Sequence, residues 1–164
     1  MDTPLQRKSK TDTFTRKLKR NIQRTEPPIL RMETGTILIV DDNKSVLASL
    51  ELLLENVFST VRTAANPNQI TTILSTTPID IVILDIEMPG MNGMEAAEKI
   101  RQADEDVVLM FITNMIQYAI RGYSVGALDF VMKPVNYYTF SLKLTRAIGR
   151  IQKIEKEILL KQQD

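Results

Sequence analysis

Acidic, hydroxyl and amino side chains stand where the apolar runs of this chain end. Asp41 and Asp42 follow Thr36-Ile37-Leu38-Ile39-Val40, Asp85 follows the run closing at Leu84, Thr113 follows Phe111-Ile112, and Lys133 follows Val131-Met132. Brought together, three carboxylates, a hydroxyl and an ammonium suit a divalent cation and a phosphoryl group: oxygen ligands take the cation, and two donors answer the phosphoryl oxygens. Histidine and cysteine are both absent. Imidazole and thiolate chemistry are therefore excluded, and any reaction rests on carboxylates, lysine and hydroxyls.

Carboxylates about 5 Å apart repel pairwise by roughly 3 kcal/mol at an effective dielectric of about 20. Either one of them takes a proton or a hard cation enters, and an oxygen-only ligand set favours Mg2+. A metal-neutralised aspartate can attack phosphorus and form an acyl phosphate. Asp85, the lone carboxylate at the end of the expected central strand, is the candidate nucleophile, while the Asp41/Asp42 pair fits metal holding. Lys133 would then pair with a phosphoryl oxygen and Thr113 would donate to another. Each residue alone has an ordinary alternative: helix cap for Asp42 or Thr113, turn former for Asp85, surface cation for Lys133. Their coincidence at strand ends is what points to a site.

To meet, these residues need a sheet whose strands end along one edge. After the first run, Val46, Leu47, Leu50, Leu53, Leu54 and Val57 keep helical spacing, with Asp42 or Asn43 as the cap. A β-branched stretch at 59–63 predicts a second strand, and Asn66-Pro67 opens a short second helix burying Ile70, Ile73 and Leu74. Residues 79–84 predict a central third strand. The loop Met88-Pro89-Gly90-Met91 leads to Asn92 and Glu95, a capping box for a helix burying Met94, Ala97 and Ile100. A fourth strand is expected at 107–112 and a fifth at 127–132. Ile116, Ala119 and Ile120 mark a fourth helix; Phe140, Leu144, Ile148 and Ile151 form the face of a fifth. This alternation predicts an α/β fold with a doubly wound, five-stranded parallel sheet. The flavodoxin-like order 2-1-3-4-5 makes neighbours of the four strands whose ends carry the polar residues.

The 164 residues, 43% hydrophobic and 25% charged, suffice for one globular domain with extensions. A net charge of +1 conceals an asymmetry. Residues 1–34 hold nine Lys/Arg against four Asp/Glu (+5), and residues 35–164 hold twelve against sixteen (−4). Glu26-Pro27-Pro28 and Gly35 punctuate the change. Residues 1–34 thus read as a basic, disordered tail, although Phe14, Leu18 and Ile22 among Arg16, Lys17, Lys19 and Arg20 also fit a short amphipathic helix for nucleic acid or anionic lipid. No apolar stretch approaches the roughly 20 residues of a membrane span, and the amino terminus lacks a signal-peptide pattern. A cytoplasmic chain without membrane contact is expected.

Ile37-Leu38-Ile39-Val40-Asp41-Asp42, Leu84-Asp85-Ile86-Glu87-Met88-Pro89-Gly90-Met91-Asn92-Gly93, Phe111-Ile112-Thr113 and Lys133-Pro134 resemble the receiver domain of two-component response regulators over about residues 35–150. Tyr118-Ala119, Val125-Gly126-Ala127-Leu128-Asp129-Phe130 and Lys133-Pro134-Val135 are similar, more narrowly, to the LytR/AgrA group with its LytTR-type DNA-binding output. The resemblance implies a CheY-like fold, an Asp85 phosphorylated by a sensor histidine kinase, and Mg2+ held by Asp42, Asp85 and the backbone carbonyl of Glu87, with Asp41 assisting through water. It implies Thr113 and Phe130 as a switch pair and a cis Lys133-Pro134 bond. It also implies dimerisation through the face of the fourth helix, fifth strand and fifth helix. Asn114 departs from the small residue common after the threonine, and Phe130 stands where many relatives have tyrosine.

Residues 151–164 read as a helical linker, with Ala147, Ile151, Ile154 and Ile158 continuing an apolar stripe, or as a truncated output domain whose opening strand begins at Glu157. DNA would be reached only through an output domain absent from this chain. The implied protein is a switch that controls transcription and catalyses only its own phosphorylation and dephosphorylation. Alternatives are a haloacid-dehalogenase-like phosphatase with Asp85 as nucleophile and Glu87 as general acid/base, and a phosphorylation-independent adaptor on the same fold.

Overall fold

A computed structural model describes residues 34–163 together with Arg16 and Met32. Strands β1 (Thr36–Val40), β2 (Thr60–Ala64), β3 (Ile81–Leu84), β4 (Val108–Thr113) and β5 (Asp129–Met132) form one parallel sheet in the order β2-β1-β3-β4-β5. The expected topology is the observed one. Because Val40 lies opposite Leu84, Leu84 opposite Phe111 and Thr113 opposite Met132, the polar residues at these strand ends share one edge.

Helices cover both faces: α1 (Lys44–Leu54), α2 (Ile70–Thr76), α3 (Gly93–Ala103), α4 (Ala119–Gly122) and α5 (Tyr137–Lys161). Alternate strand residues take opposite sides. Ile37, Ile39, Ile81, Ile83, Met110 and Ile112 pack with Leu47, Leu50 and Leu54 of α1 and Phe140, Leu144 and Ile148 of α5. Leu38, Val40, Val82, Leu84, Leu109 and Phe111 pack with Ile70 and Ile73 of α2 and Met94, Ala97 and Ile100 of α3. The central strand β3 is buried on both faces, as its apolar run requires.

Asparagine begins the helical segment after four of the strands. Asn43, Asn66, Asn92 and Asn136 each accept a hydrogen bond from a backbone N–H of the turn that follows. Asn43 takes the first cap, from Ser45 and Val46 at 3.0 and 3.2 Å. Asp42 is thereby left free of that duty.

Three differences from expectation have local causes. The fourth helix shrinks to α4, one turn between 3-10 segments Ile116–Tyr118 and Tyr123–Val125, and its expected markers Ile116 and Ile120 are 64% and 82% exposed. Its inward side is built from Gly122 and Val125 instead. At the other end α5 continues unbroken to Lys161, so residues 157–161 are helical rather than a strand. Met32, assigned to the tail, is buried in the core, and its N–H donates to Val57 O at 2.7 Å. The rest of the expected tail, with Phe14, Leu18 and Ile22, lies outside the described residues; Arg16 is helical and exposed.

Gly93 fixes how closely α3 approaches the end of β3. A Cβ there would lie 2.1 Å from Asp85 O and 2.7 Å from Ile86 Cα, both backbone atoms, whereas one on Gly149 in α5 would meet nothing. Gly93→Ala is expected to lower the unfolding free energy by on the order of 3 kcal/mol. Gly149→Ala is expected to raise it by about 1 kcal/mol, both read from urea denaturation midpoints.

Candidate functional site

The β1–α1 turn begins with Asp41, whose Oδ1 accepts the Asn43 N–H at 2.8 Å. That bond turns the carboxylate back over the strand end and leaves Oδ2 for Lys133, whose Nζ lies 2.7 Å away. The same ammonium reaches Asp85 Oδ2 at 3.0 Å. Lys133 arrives from the end of β5 with its N–H donating to Thr113 O at 3.0 Å, and its peptide bond to Pro134 is cis. Residues 92 and 48 positions apart thus meet at one point.

Asp41 and Asp85 are only 2% and 6% exposed, and Asp42 is exposed. One carboxylate oxygen from each of Asp41, Asp42 and Asp85 lies within 4.8 Å of the other two. That spacing fits a single hard cation bound by all three, and Asp42 has no hydrogen-bond or ionic partner among the described residues. Of the site's carboxylates it alone faces solvent without a counter-charge, so the donor set fits Mg2+.

Burial pushes the Asp85 carboxyl above its ordinary value; the hydrogen bond and charge of Lys133 oppose that rise, Asp41 adds to it, and the Glu87 N–H opposes it. For Lys133, burial pulls downward, but hydrogen bonds and charge from Asp41 and Asp85 outweigh it and hold the ammonium above its ordinary value. The cation is therefore fixed in its charged form by the acids it neutralises.

The remaining expected residues lie along the same edge. Thr113 is fully buried, and its Oγ1 accepts the Met115 N–H at 3.1 Å, leaving the hydroxyl proton without an acceptor among the described residues. The Glu87 N–H points to Asp85 Oδ1 at 3.4 Å, while its side chain is exposed. Phe130 sits half-buried one strand away, stacked on Phe111 with ring centroids 5.0 Å apart. Two supporting residues escaped sequence reasoning. Asn43 was visible as one of two possible caps, but its hold on Asp41 was not; Gly93 was visible as the last residue of the Leu84–Gly93 motif, but its close approach to the Asp85 backbone was not.

A family model described as the response regulator receiver domain matches residues 37–144. Sensory transduction protein LytT of Oceanobacillus iheyensis is 31% identical over 114 residues, 67% of this chain and 46% of that protein. Transcriptional regulatory protein YvrH of Bacillus subtilis is 33% identical over 122 residues, 73% of this chain and 51% of that protein. The chain spans about half the length of these curated relatives. Among solved structures, the N-terminal signal receiver domain of a two-component response regulator from Bacteroides fragilis superposes with a TM-score of 0.65 at 36% identity, covering 70% of this chain and 96% of that one.

Removing the shared ammonium would leave two buried carboxylates facing each other. Lys133→Met is expected to lower stability at pH 7 by about 1–3 kcal/mol. Adding Asp85→Asn should recover part of that loss, since the amide carries no charge. The pH profile carries the sign. Lys133 is held above its ordinary 10.5, so its contribution is complete below pH 10.5 and disappears as pH rises through the folded value. The gap in unfolding free energy between parent and Lys133→Met, measured by denaturant titration, should narrow over that alkaline window.

Proposed function

The chain belongs to the response regulator receiver family, and we propose that Asp85 is its phosphoacceptor, supplied by a phosphohistidine on a sensor kinase. One observation carries this reading: the Lys133 ammonium lies 3.0 Å from the Asp85 carboxylate within a pocket of three acids. With no histidine in the chain, the donor is another molecule. An Asp85 Oδ attacks phosphorus in line with the P–N bond of the donor; that bond breaks, its electron pair returns to the imidazole, and the product is an acyl phosphate on Asp85.

Asp42, Asp85 and the Glu87 backbone carbonyl would hold Mg2+, with Asp41 assisting through water. When bound, the cation neutralises negative charge shared by the carboxylates and the incoming phosphoryl group. Lys133 moves from pairing with Asp85 to pairing with a phosphoryl oxygen, keeping one bond to Asp41 throughout. Thr113 turns its free hydroxyl proton to a second oxygen, and Phe130 follows by repacking, since its ring has no polar handle.

The response emerges on the α4–β5–α5 face, where Ile116, Ile120, Tyr123, Met132, Tyr138 and Leu142 are all exposed. Exposed apolar side chains on these elements suit self-association, so phosphorylation biases a monomer–dimer equilibrium. The likeness to LytT and the motif from Tyr118 to Val135 support a LytTR-type output that reads DNA. Transcription control then depends on that output domain rather than on residues 35–150. Asn114 is exposed next to Thr113, where a larger polar side chain hinders access of water or of a small phosphodonor to the phosphoryl site.

Incubation with acetyl phosphate and Mg2+ should add one phosphoryl group of about 80 Da by intact mass. Asp85→Ala should give none, and an undiminished adduct on that variant would place the acceptor elsewhere. In thermal or urea unfolding, Mg2+ at about 100 times its Kd should stabilise the parent by about 2.7 kcal/mol. Asp42→Ala should lose that gain while keeping the metal-free stability of the parent to within about 0.5 kcal/mol.

A further inference from the structure

Gly122 has ordinary right-handed helical backbone angles, φ −61° and ψ −29°. It uses none of the conformational freedom that glycine offers, and in helical geometry glycine is less stable than alanine. Packing supplies the reason. A Cβ on Gly122 would lie 2.3 Å from Cζ and 2.5 Å from Cε2 of Phe130. The ring occupies the space that a side chain would fill.

The same ring stacks on Phe111, its cross-strand partner, and Phe111 pairs in turn with Leu84, the residue before Asp85. The segment after α4 is fixed: Arg101 donates from Nε to Val125 O at 2.6 Å and from Nη2 to Gly126 O at 3.1 Å, and the Ala127 N–H holds Gly122 O, at the end of α4, at 3.0 Å. Across α4 from the ring, Ile120 and Tyr123 are 82% and 77% exposed. Gly122 therefore lies between the phenyl ring and the apolar outer surface of α4.

We propose that Gly122 is the positioning residue of the switch: its missing side chain is the seat of the Phe130 ring, and occupancy of that seat sets the placement of α4 and of the apolar face it presents. The functional half of this proposal rests on the phosphoacceptor reading; the seating half does not. A side chain at 122 expels the ring and uncouples the face from Asp85 without touching the acids or Lys133.

The test compares the parent, Gly122→Ala, Phe130→Leu and the double variant by NMR and intact mass, before and after treatment with acetyl phosphate and Mg2+. In the unphosphorylated Gly122→Ala protein, the Phe130 ring protons should lose the ring-current shift from Phe111. The Asp85 adduct should form as in the parent, while the phosphorylation-induced amide shifts of Ile120 and Tyr123 shrink to about a fifth or less. In the Phe130→Leu background, which lacks the clashing ring atoms, Gly122→Ala should leave the α4 amides unmoved. Unchanged Phe130 resonances in Gly122→Ala, or an α4 perturbation that persists in the double variant, would overturn the proposal. Should Gly122→Ala fail to fold, a folded double variant supports the seat and an unfolded one refutes it. Failure of the parent to acquire an adduct would instead sink the phosphoacceptor reading, with the ring shift still reporting on Gly122.

Discussion

One ammonium has to serve two buried carboxylates. Asp41 and Asp85 come from adjacent strands that end in register, so their charges are forced together by the sheet, and among the described residues Lys133 Nζ, at 2.7 and 3.0 Å, is the cation that makes that proximity tolerable. Buried like charges repel strongly at low effective dielectric, which is why the pair needs its counter-ion. The exposed Asp42 adds a third negative group with no partner among the described residues, leaving the pocket one cation short of balance.

The sheet order is what brings these groups to one place. With β1, β3, β4 and β5 as consecutive neighbours, the strand ends and the turns after them carry Asp41, Asp85, Thr113 and Lys133 to one edge. Had the order followed the chain, β2 would separate β1 from β3, and Asp41 would be a strand farther from Asp85. The asparagine caps assist by spending the first N–H groups of the helical segments, so Asp42 can face solvent instead of closing α1. Gly93 lets α3 start hard against the Asp85 backbone.

Much of this was legible in the sequence because it is periodic. Uninterrupted runs such as Ile81 to Leu84 announce strands buried on both faces, and stripes such as Phe140, Leu144 and Ile148 announce helices packed on one side. The polar residues closing the runs were legible for the same reason, by contrast with what precedes them. What stayed hidden depends on space rather than spacing. Ile116 and Ile120 have helical separation whether their side faces core or solvent, and nothing local tells which. Gly122 and Gly93 matter through atoms they lack. The sharing of Lys133 between Asp41 and Asp85 joins positions too far apart for any local pattern, and Met32 stood with Ile29 and Leu30 in too short an apolar group, behind a basic, proline-containing stretch, to show a period.

Helix α5 begins at Tyr137, three residues after Pro134 and directly after its Asn136 cap, and runs to Lys161. The sheet grips it from Phe140 to Ile151, after which no residue of the helix is fully buried. At 1.5 Å per residue the whole is a rod about 37 Å long, with roughly 15 Å standing clear of its bearing. Such an element is a lever: a rotation of about 5° about Ile151 carries its tip through roughly 1 Å. Lys133 in the pocket and the tip of α5 thus lie on one stretch of backbone, joined through the turn of residues 134–136.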